Sequence, residues 1–234
     1  MRLPSVEDRT IVIGRTGSGK TYFGLWLLSE QPIEDMPWIV FDFKRDINIM
    51  SIPYHQEIPI GYVPTQPGVF VVRPMPTDDL TDYLYAIWNE TGIGLYIDEA
   101  MMLSRNAGMM AILIQGRSKH IPVIACTQRP VGIASEYFTE SSFFAVFPTH
   151  DKREQKRISE FTTLFIDKDR DYVNIPEFHS WWFDVKRRTL ERLKPVPSMD
   201  KILRTFRDKL EPETEQSTVP AVTGGDQRRG FKLF

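Results

Sequence analysis

The sequence predicts an α/β fold in three layers, with a mainly parallel central sheet covered by helices on both faces. Short, β-branched, apolar runs recur along the chain with helical segments between them, the pattern of strands joined by crossover helices. A glycine-rich stretch directly follows the first such run and opens a helix, the usual position of a ligand loop in such sheets. At 234 residues and 41 % hydrophobic, the chain can bury one sizeable core without staples.

The elements read in order as follows. "TIVIG" is a strand ending in glycine, and "KTYFGLWLLSEQ" is a helix stopped near Pro32. "WIVFDF" is a second buried strand. The proline-rich stretch from Ile49 to Pro76 is an irregular connection that contains the strand "GVFVVRP". Tyr83 to Asn89 is helical, "GIGLYIDEA" supplies a strand, and "MMAILIQGRSK" is most of a helix ending at Arg117. "IPVIACTQ" and "SSFFAVFP" are strands, with a short helix around Glu136 between them. "DKREQKRISEF" is a charged helix, "DYVNIPEFHSWWFDVK" reads as a hairpin and "MDKILRTFRDKL" as a last helix. Residues 1–210 are thus expected to form a single domain. Residues 211–234 are polar and Pro/Gly-bearing, with little apolar material to offset ordering entropy, and are expected to be a disordered tail. The closing "FKLF" is apolar for such a tail and could serve as a docking peptide.

Composition narrows the function classes. The single cysteine, Cys126, excludes an intramolecular disulfide and a CxxC metal site and suits a reducing cytoplasm. The four histidines lack ligand spacing, so a metal other than Mg²⁺ is not expected. No apolar run is long enough for a signal peptide or a membrane span, so no direct membrane insertion is expected. The net charge is −2, yet residues 1–110 hold 8 Lys+Arg against 14 Asp+Glu, while 111–234 hold 21 against 17. Such polarity could present a basic surface to a polyanion, or be an ordinary solvated face.

The glycine-rich stretch is Gly14-Arg15-Thr16-Gly17-Ser18-Gly19-Lys20-Thr21, which fits GxxxxGK[ST] without departure. Its glycines let backbone N–H groups turn inward around phosphate oxygens, with the positive end of the following helix behind them. Lys20 would reach the β and γ phosphates of ATP and Thr21 would hold Mg²⁺. A metal held there needs a carboxylate from a neighbouring strand end, and "GLYIDEA" provides Asp98 for the ion and Glu99 to polarise an attacking water. Taken alone, the two carboxylates could also cap a helix N-terminus. Gln128, at the end of "IPVIACTQ", is placed to touch that water or the γ phosphate, although a polar residue there could merely end the strand.

Together, "GRTGSGKT", "WIVFDFK", "GLYIDEA" and "GRSKHIPVIACTQRP" resemble the HerA/FtsK superfamily of DNA-pumping ATPases over about residues 10–185. The resemblance implies a RecA/ASCE-like P-loop NTPase fold, Gln128 as sensor and Arg117 as an arginine finger acting on a neighbouring subunit. Arg129 is the rival finger, and Arg117 could also be a cation at a helix end. One departure is visible: Phe43 stands between Asp42 and Lys44 where the superfamily often has proline, and neither Asp42 nor Lys44 is counted as a site residue. Trp181 and Trp182 could stack on a base, or one could face the core and the other a partner.

A bare motor of this size most resembles the genome-packaging ATPases of tailless, icosahedral, membrane-containing double-stranded DNA viruses. That resemblance implies a hexamer-like homo-oligomeric ring that pumps double-stranded DNA without sequence preference into a preformed capsid. It would work in the infected cell's cytoplasm and at a virion vertex, beside portal or membrane proteins. Contacts to DNA would be to phosphates and salt-sensitive. The alternatives are another motor of the superfamily, for segregation, conjugation or filamentous phage assembly, and a monomeric P-loop switch or nucleotide kinase.

Overall fold

The computed structural model describes residues 1–167 and 169–212; the tail and its "FKLF" end lie outside the described residues. Strands β1 (Arg9–Ile13), β2 (Pro37–Phe41), β3 (Gln56–Glu57), β4 (Gly68–Val72), β5 (Gly94–Ile97), β6 (Val123–Thr127), β7 (Phe143–Val146), β8 (Ser180–Asp184) and β9 (Thr189–Leu193) form one sheet in the order β3-β4-β2-β5-β6-β1-β7-β8-β9. From β3 to β7 every pairing is parallel, and β8 and β9 add two antiparallel pairings at one edge. Strand β6 therefore separates β1, which leads into the phosphate loop, from β5, which carries the acid pair.

Alternation along the strands sorts the core into two layers, because successive side chains leave a strand on opposite faces. Ile11, Ile39, Leu95, Val123 and Phe144 face one layer, which is covered by α3 (Thr81–Asn89), α4 (Ala107–Gln115), α5 (Glu136–Thr139) and α6 (Lys152–Ser159). Val12, Val40, Tyr96, Cys126 and Ala145 face the other, beneath α1 (Lys20–Ser29), the short α2 (Ile47–Met50) and α7 (Met199–Leu210). Burial in that second layer pushes the Cys126 thiol up to about 12, consistent with a small core residue.

Three local readings are corrected. Helix α4 stops at Gln115, and Arg117 lies in the 3-10 turn Gly116–Lys119. The hairpin is shifted along the chain: Ser180–Asp184 pairs with Thr189–Leu193, while Asp171 folds its own segment into a turn by accepting from the backbone N–H groups of Val173 and Asn174. The tryptophans are both buried, on opposite faces of β8. Trp181 donates from Nε1 to the Tyr172 carbonyl at 3.0 Å, and Trp182 stacks on Phe143 with ring centroids 5.0 Å apart. Neither ring is open to a base.

Helix α1 lies unusually close to the sheet, at Gly24. A Cβ there would stand 2.8 Å from the Tyr96 hydroxyl oxygen and 2.9 Å from Cys126 Sγ, both fully buried. Gly24→Ala is therefore expected to cost about 1–3 kcal/mol, the usual penalty of forcing a methyl into a filled core. Chemical denaturation checks this, and an unchanged midpoint contradicts the close packing.

Candidate active site

Parallel strands deliver their following loops to one edge, the usual ligand edge of an open α/β sheet. Here that edge gathers residues 14–19 after β1, Asp42 to Lys44 after β2, Asp98 and Glu99 after β5, and Gln128 after β6. The phosphate loop is anchored at its start by the Gly14 N–H donating to the Thr127 carbonyl at 3.1 Å. It turns through Gly17 and Gly19 at φ 79° and 92°, a region open to glycine at little cost, and Gly19 leads directly into α1. Lys20, the first residue of α1, is 5 % exposed, and among the described residues the structure pairs it with no carboxylate. Ser18 Oγ is buried without a partner. A buried ammonium and a helix N-terminus at a glycine-rich turn fit a polyphosphate.

Beside the loop, the Thr21 hydroxyl donates to Asp98 Oδ1 at 3.4 Å. Asp98 is fully buried and its Oδ2 has no hydrogen bond; Lys44 Nζ stands 3.5 Å away, a distance that contributes charge more than a directed bond. This hydroxyl and half-satisfied carboxylate are the hard oxygen donors that suit Mg²⁺, which keeps most of its coordination for water and phosphate.

Glu99 is the junction of the site. Its Oε2 receives Lys44 Nζ at 2.7 Å and Gln128 Nε2 at 3.1 Å. Gln128 is fixed in turn, since its Oε1 accepts from the Thr16 hydroxyl at 2.8 Å. A chain of contacts thus runs from the phosphate loop through Gln128, Glu99 and Lys44 to Asp98, and back to the loop at Thr21. Burial pulls the Lys44 ammonium down, but the hydrogen bond to Glu99 and the charges of both carboxylates outweigh it and hold it above its ordinary value. Behind Lys44, the fully buried Asp42 accepts the Asp46 backbone N–H at 3.0 Å and lies 3.6 Å from Arg73 Nε. Desolvation, aided by the nearby Asp98 charge, raises the Asp42 carboxyl above its usual range.

Sequence reading named Glu99, Gln128, Asp98 and the loop residues, and the structure brings these together. It missed Lys44, although "DFK" was in view; the unusual Phe43 obscured a lysine that reaches both acids. Arg15 and Thr16 are exposed on the loop, and only Thr16 joins the network. Arg117 is not at this edge. Its turn precedes β6, beside Arg9 at the start of β1, and its Nη2 donates to Ser142 Oγ at 3.3 Å. Strands of this length place the opposite edge roughly 15 Å from the loop. Arg9 supports that turn: its buried guanidinium donates from Nη2 to the Ile112 carbonyl at 3.2 Å, and desolvation, with the Arg117 charge, pulls it down to about 10. Arg129 is exposed and follows Gln128 at the ligand edge.

Fold and site together define a P-loop NTPase. No family model matches the chain. It is 34 % identical over 215 residues to the DNA packaging ATPase P9 of Enterobacteria phage PRD1, a match that covers 88 % of this chain and 95 % of the relative. The chain belongs to the family of viral DNA-packaging ATPases. Among solved structures it is similar to the genome packaging NTPase B204 of Sulfolobus turreted icosahedral virus 2 in complex with ATPγS. There the TM-score is 0.67 at 18 % identity, covering 83 % of this chain and all of that one. The pCW3 conjugation coupling protein TcpA aligns with TM-score 0.56 at 12 % identity, over 85 % of this chain and 64 % of its own. At these identities the two structures establish the fold.

Removing the Lys44 charge leaves adjacent carboxylates facing each other. Because Lys44 is 34 % exposed, Lys44→Met is expected to cost about 1–2 kcal/mol, below the figure for a fully buried pair. A double-mutant cycle with Glu99→Gln, read by denaturation, should return a coupling of about 1 kcal/mol. A coupling of zero contradicts the contact.

Proposed function

We propose that this protein hydrolyses ATP at the ligand edge of its sheet and, as a homo-oligomeric ring, drives double-stranded DNA into a viral capsid. One observation supports the hydrolytic reading above the rest: the Glu99 carboxylate is held by Gln128 and Lys44 through a single oxygen, which leaves Oε1 to accept the proton of a water. In this reading the loop N–H groups and Lys20 take the β and γ phosphates. Thr21 and Asp98 would hold Mg²⁺, which when bound supplies positive charge to the phosphate oxygens. Gln128, oriented by Thr16, positions the attacking water, and Glu99 draws its proton as the water oxygen bonds to the γ phosphorus, the bond from that phosphorus to the β–γ bridging oxygen breaks, and ADP leaves. Lys44, which reaches both Asp98 and Glu99, is a positioning residue that holds the Glu99 carboxylate in place. Burial of Asp42 and its bond to Asp46 steady the segment that carries Lys44.

The position of Arg117 supports the ring reading. It is exposed at the edge opposite its own phosphate loop, so it can neutralise the γ phosphate only of a neighbouring subunit. Such trans arginines contribute about 10³–10⁵ to turnover in other P-loop enzymes. The partners are then double-stranded DNA, bound through its phosphates, further copies of the chain and the capsid vertex. The setting is the infected cell's cytoplasm and the virion.

The test is ATP turnover, with double-stranded DNA at low salt, of Glu99→Gln and Arg117→Ala proteins alone and mixed. Each is expected to be inactive alone, and the mixture to recover activity, because some interfaces then pair an intact Glu99 with a neighbour's Arg117. An active Arg117→Ala protein with no gain on mixing overturns the shared site and favours a cis-acting switch or kinase.

A further inference from the structure

The phosphate loop is one wall of a larger cavity of about 540 Å³. Its far wall is built by the antiparallel edge of the sheet. Strand β8 runs against β7, and β9 runs against β8, so the start of β8 and the end of β9 both return to the edge that holds the loop. Phe178, just before β8, and Pro195, Val196 and Pro197, just after β9, thereby line the same cavity as Gly19, Lys20 and Tyr22.

Phe178 is poorly explained by folding alone. Its φ is 59°, a left-handed conformation that carries a strain cost and that non-glycine residues seldom adopt. Its side chain is 48 % exposed, so burial does not offset that cost. Its ring reaches over the loop, with Cδ1 3.1 Å from where a Cβ on Gly19 would stand, and Phe147 packs beneath the same glycine. A strained, half-exposed aromatic ring beside a phosphate loop, facing a proline wall, is the geometry of a flat, apolar slot.

We propose that this slot takes the base of the nucleotide whose phosphates occupy the loop, with Phe178 as its stacking platform, and that it accepts adenine and guanine with little discrimination. The proposal rests on the phosphate-loop reading above. Its occupant is fixed by continuity, because one cavity joins Lys20 and Thr21 to Phe178 and the prolines without a break. Its tolerance follows from chemistry. Strong discrimination between bases requires a buried donor or acceptor that the wrong base leaves unpaired. Pro195 and Pro197 have no N–H to offer. Of the other lining residues, the Asn48 amide donates from Nδ2 to the Asp46 carboxylate at 2.8 Å. Phe178, Pro195, Val196 and Pro197, the apolar side of the cavity, offer a base no side-chain donor or acceptor.

The experiment is calorimetric titration of the full chain, with Mg²⁺, using AMPPCP, GMPPCP and inorganic tripolyphosphate. Phe178→Ala should weaken both nucleotides by about tenfold to a hundredfold, the worth of one stacked base, and leave tripolyphosphate within about twofold. Phe178→Trp should keep nucleotide affinity within about threefold of the parent, since it preserves the ring. On the parent protein the two nucleotides should agree within about fivefold. An unchanged ratio of nucleotide to tripolyphosphate affinity in Phe178→Ala overturns the platform, and a guanine affinity lower by about a hundredfold or more overturns the tolerance. If the parent binds neither tripolyphosphate nor nucleotide, the phosphate-loop reading itself fails and this proposal with it.

Discussion

The Oε2 atom of Glu99 accepts from Lys44 and Gln128, donors that arrive from strands on either side of its own. The strand order β2-β5-β6-β1 makes that meeting possible. With β6 between β1 and β5, the loop that would grip phosphate and the carboxylate that would activate water lie two strand steps apart, about 10 Å. Gln128 sits on the intervening strand, and Thr16 ties it back to the phosphate loop. In the proposed function, phosphate grip and water activation would therefore be coupled through side chains rather than through contact between neighbouring loops. A change in the loop on nucleotide binding has a direct path to Glu99 through Thr16 and Gln128.

Rigidity behind the site comes from two sources. Helix α1 is buried against the sheet on one side and packed by α7 on the other, so Lys20 and Thr21 project from a helix with little freedom to shift. On the far side, the buried Asp42 holds the backbone at Asp46 and leans on Arg73, which reaches Glu57 on the short β3. A carboxylate buried with only a distant cation is a costly arrangement, and it is kept where it steadies the segment that bears Lys44. The antiparallel edge contributes differently, since it returns the chain twice to the ligand edge and supplies the apolar part of the cavity.

Much of this was legible in the sequence because the signals are local. The phosphate loop is a contiguous motif with an apolar strand before it and a helix after it, and "GLYIDEA" announces itself by an apolar run ended by two acids. The strand order was not readable, since the pairing of β6 with both β1 and β5 is a long-range fact. Lys44 escaped for a related reason: its role depends on acids more than fifty positions away, and Phe43 broke the local pattern that would have flagged it. The aromatic signal was misplaced by three residues. "SWWF" drew attention through its tryptophans, yet strand alternation buries both, and the exposed ring is Phe178, which only the left-handed backbone turn brings over the loop. Asp171 and Pro176 explain the shifted hairpin, because a side chain that caps its own backbone and a residue without N–H both disfavour a strand there.

The central claim is that Glu99 takes the proton of the attacking water, and the most direct measurement compares chemistry with binding in one variant. Steady-state turnover of assembled Glu99→Gln protein at saturating Mg²⁺–ATP should fall by about a hundredfold or more, while nucleotide affinity stays within about threefold of the parent, because the substitution keeps the shape and removes the base. Turnover within about fivefold of the parent would contradict the assignment and move the base elsewhere on the ligand edge.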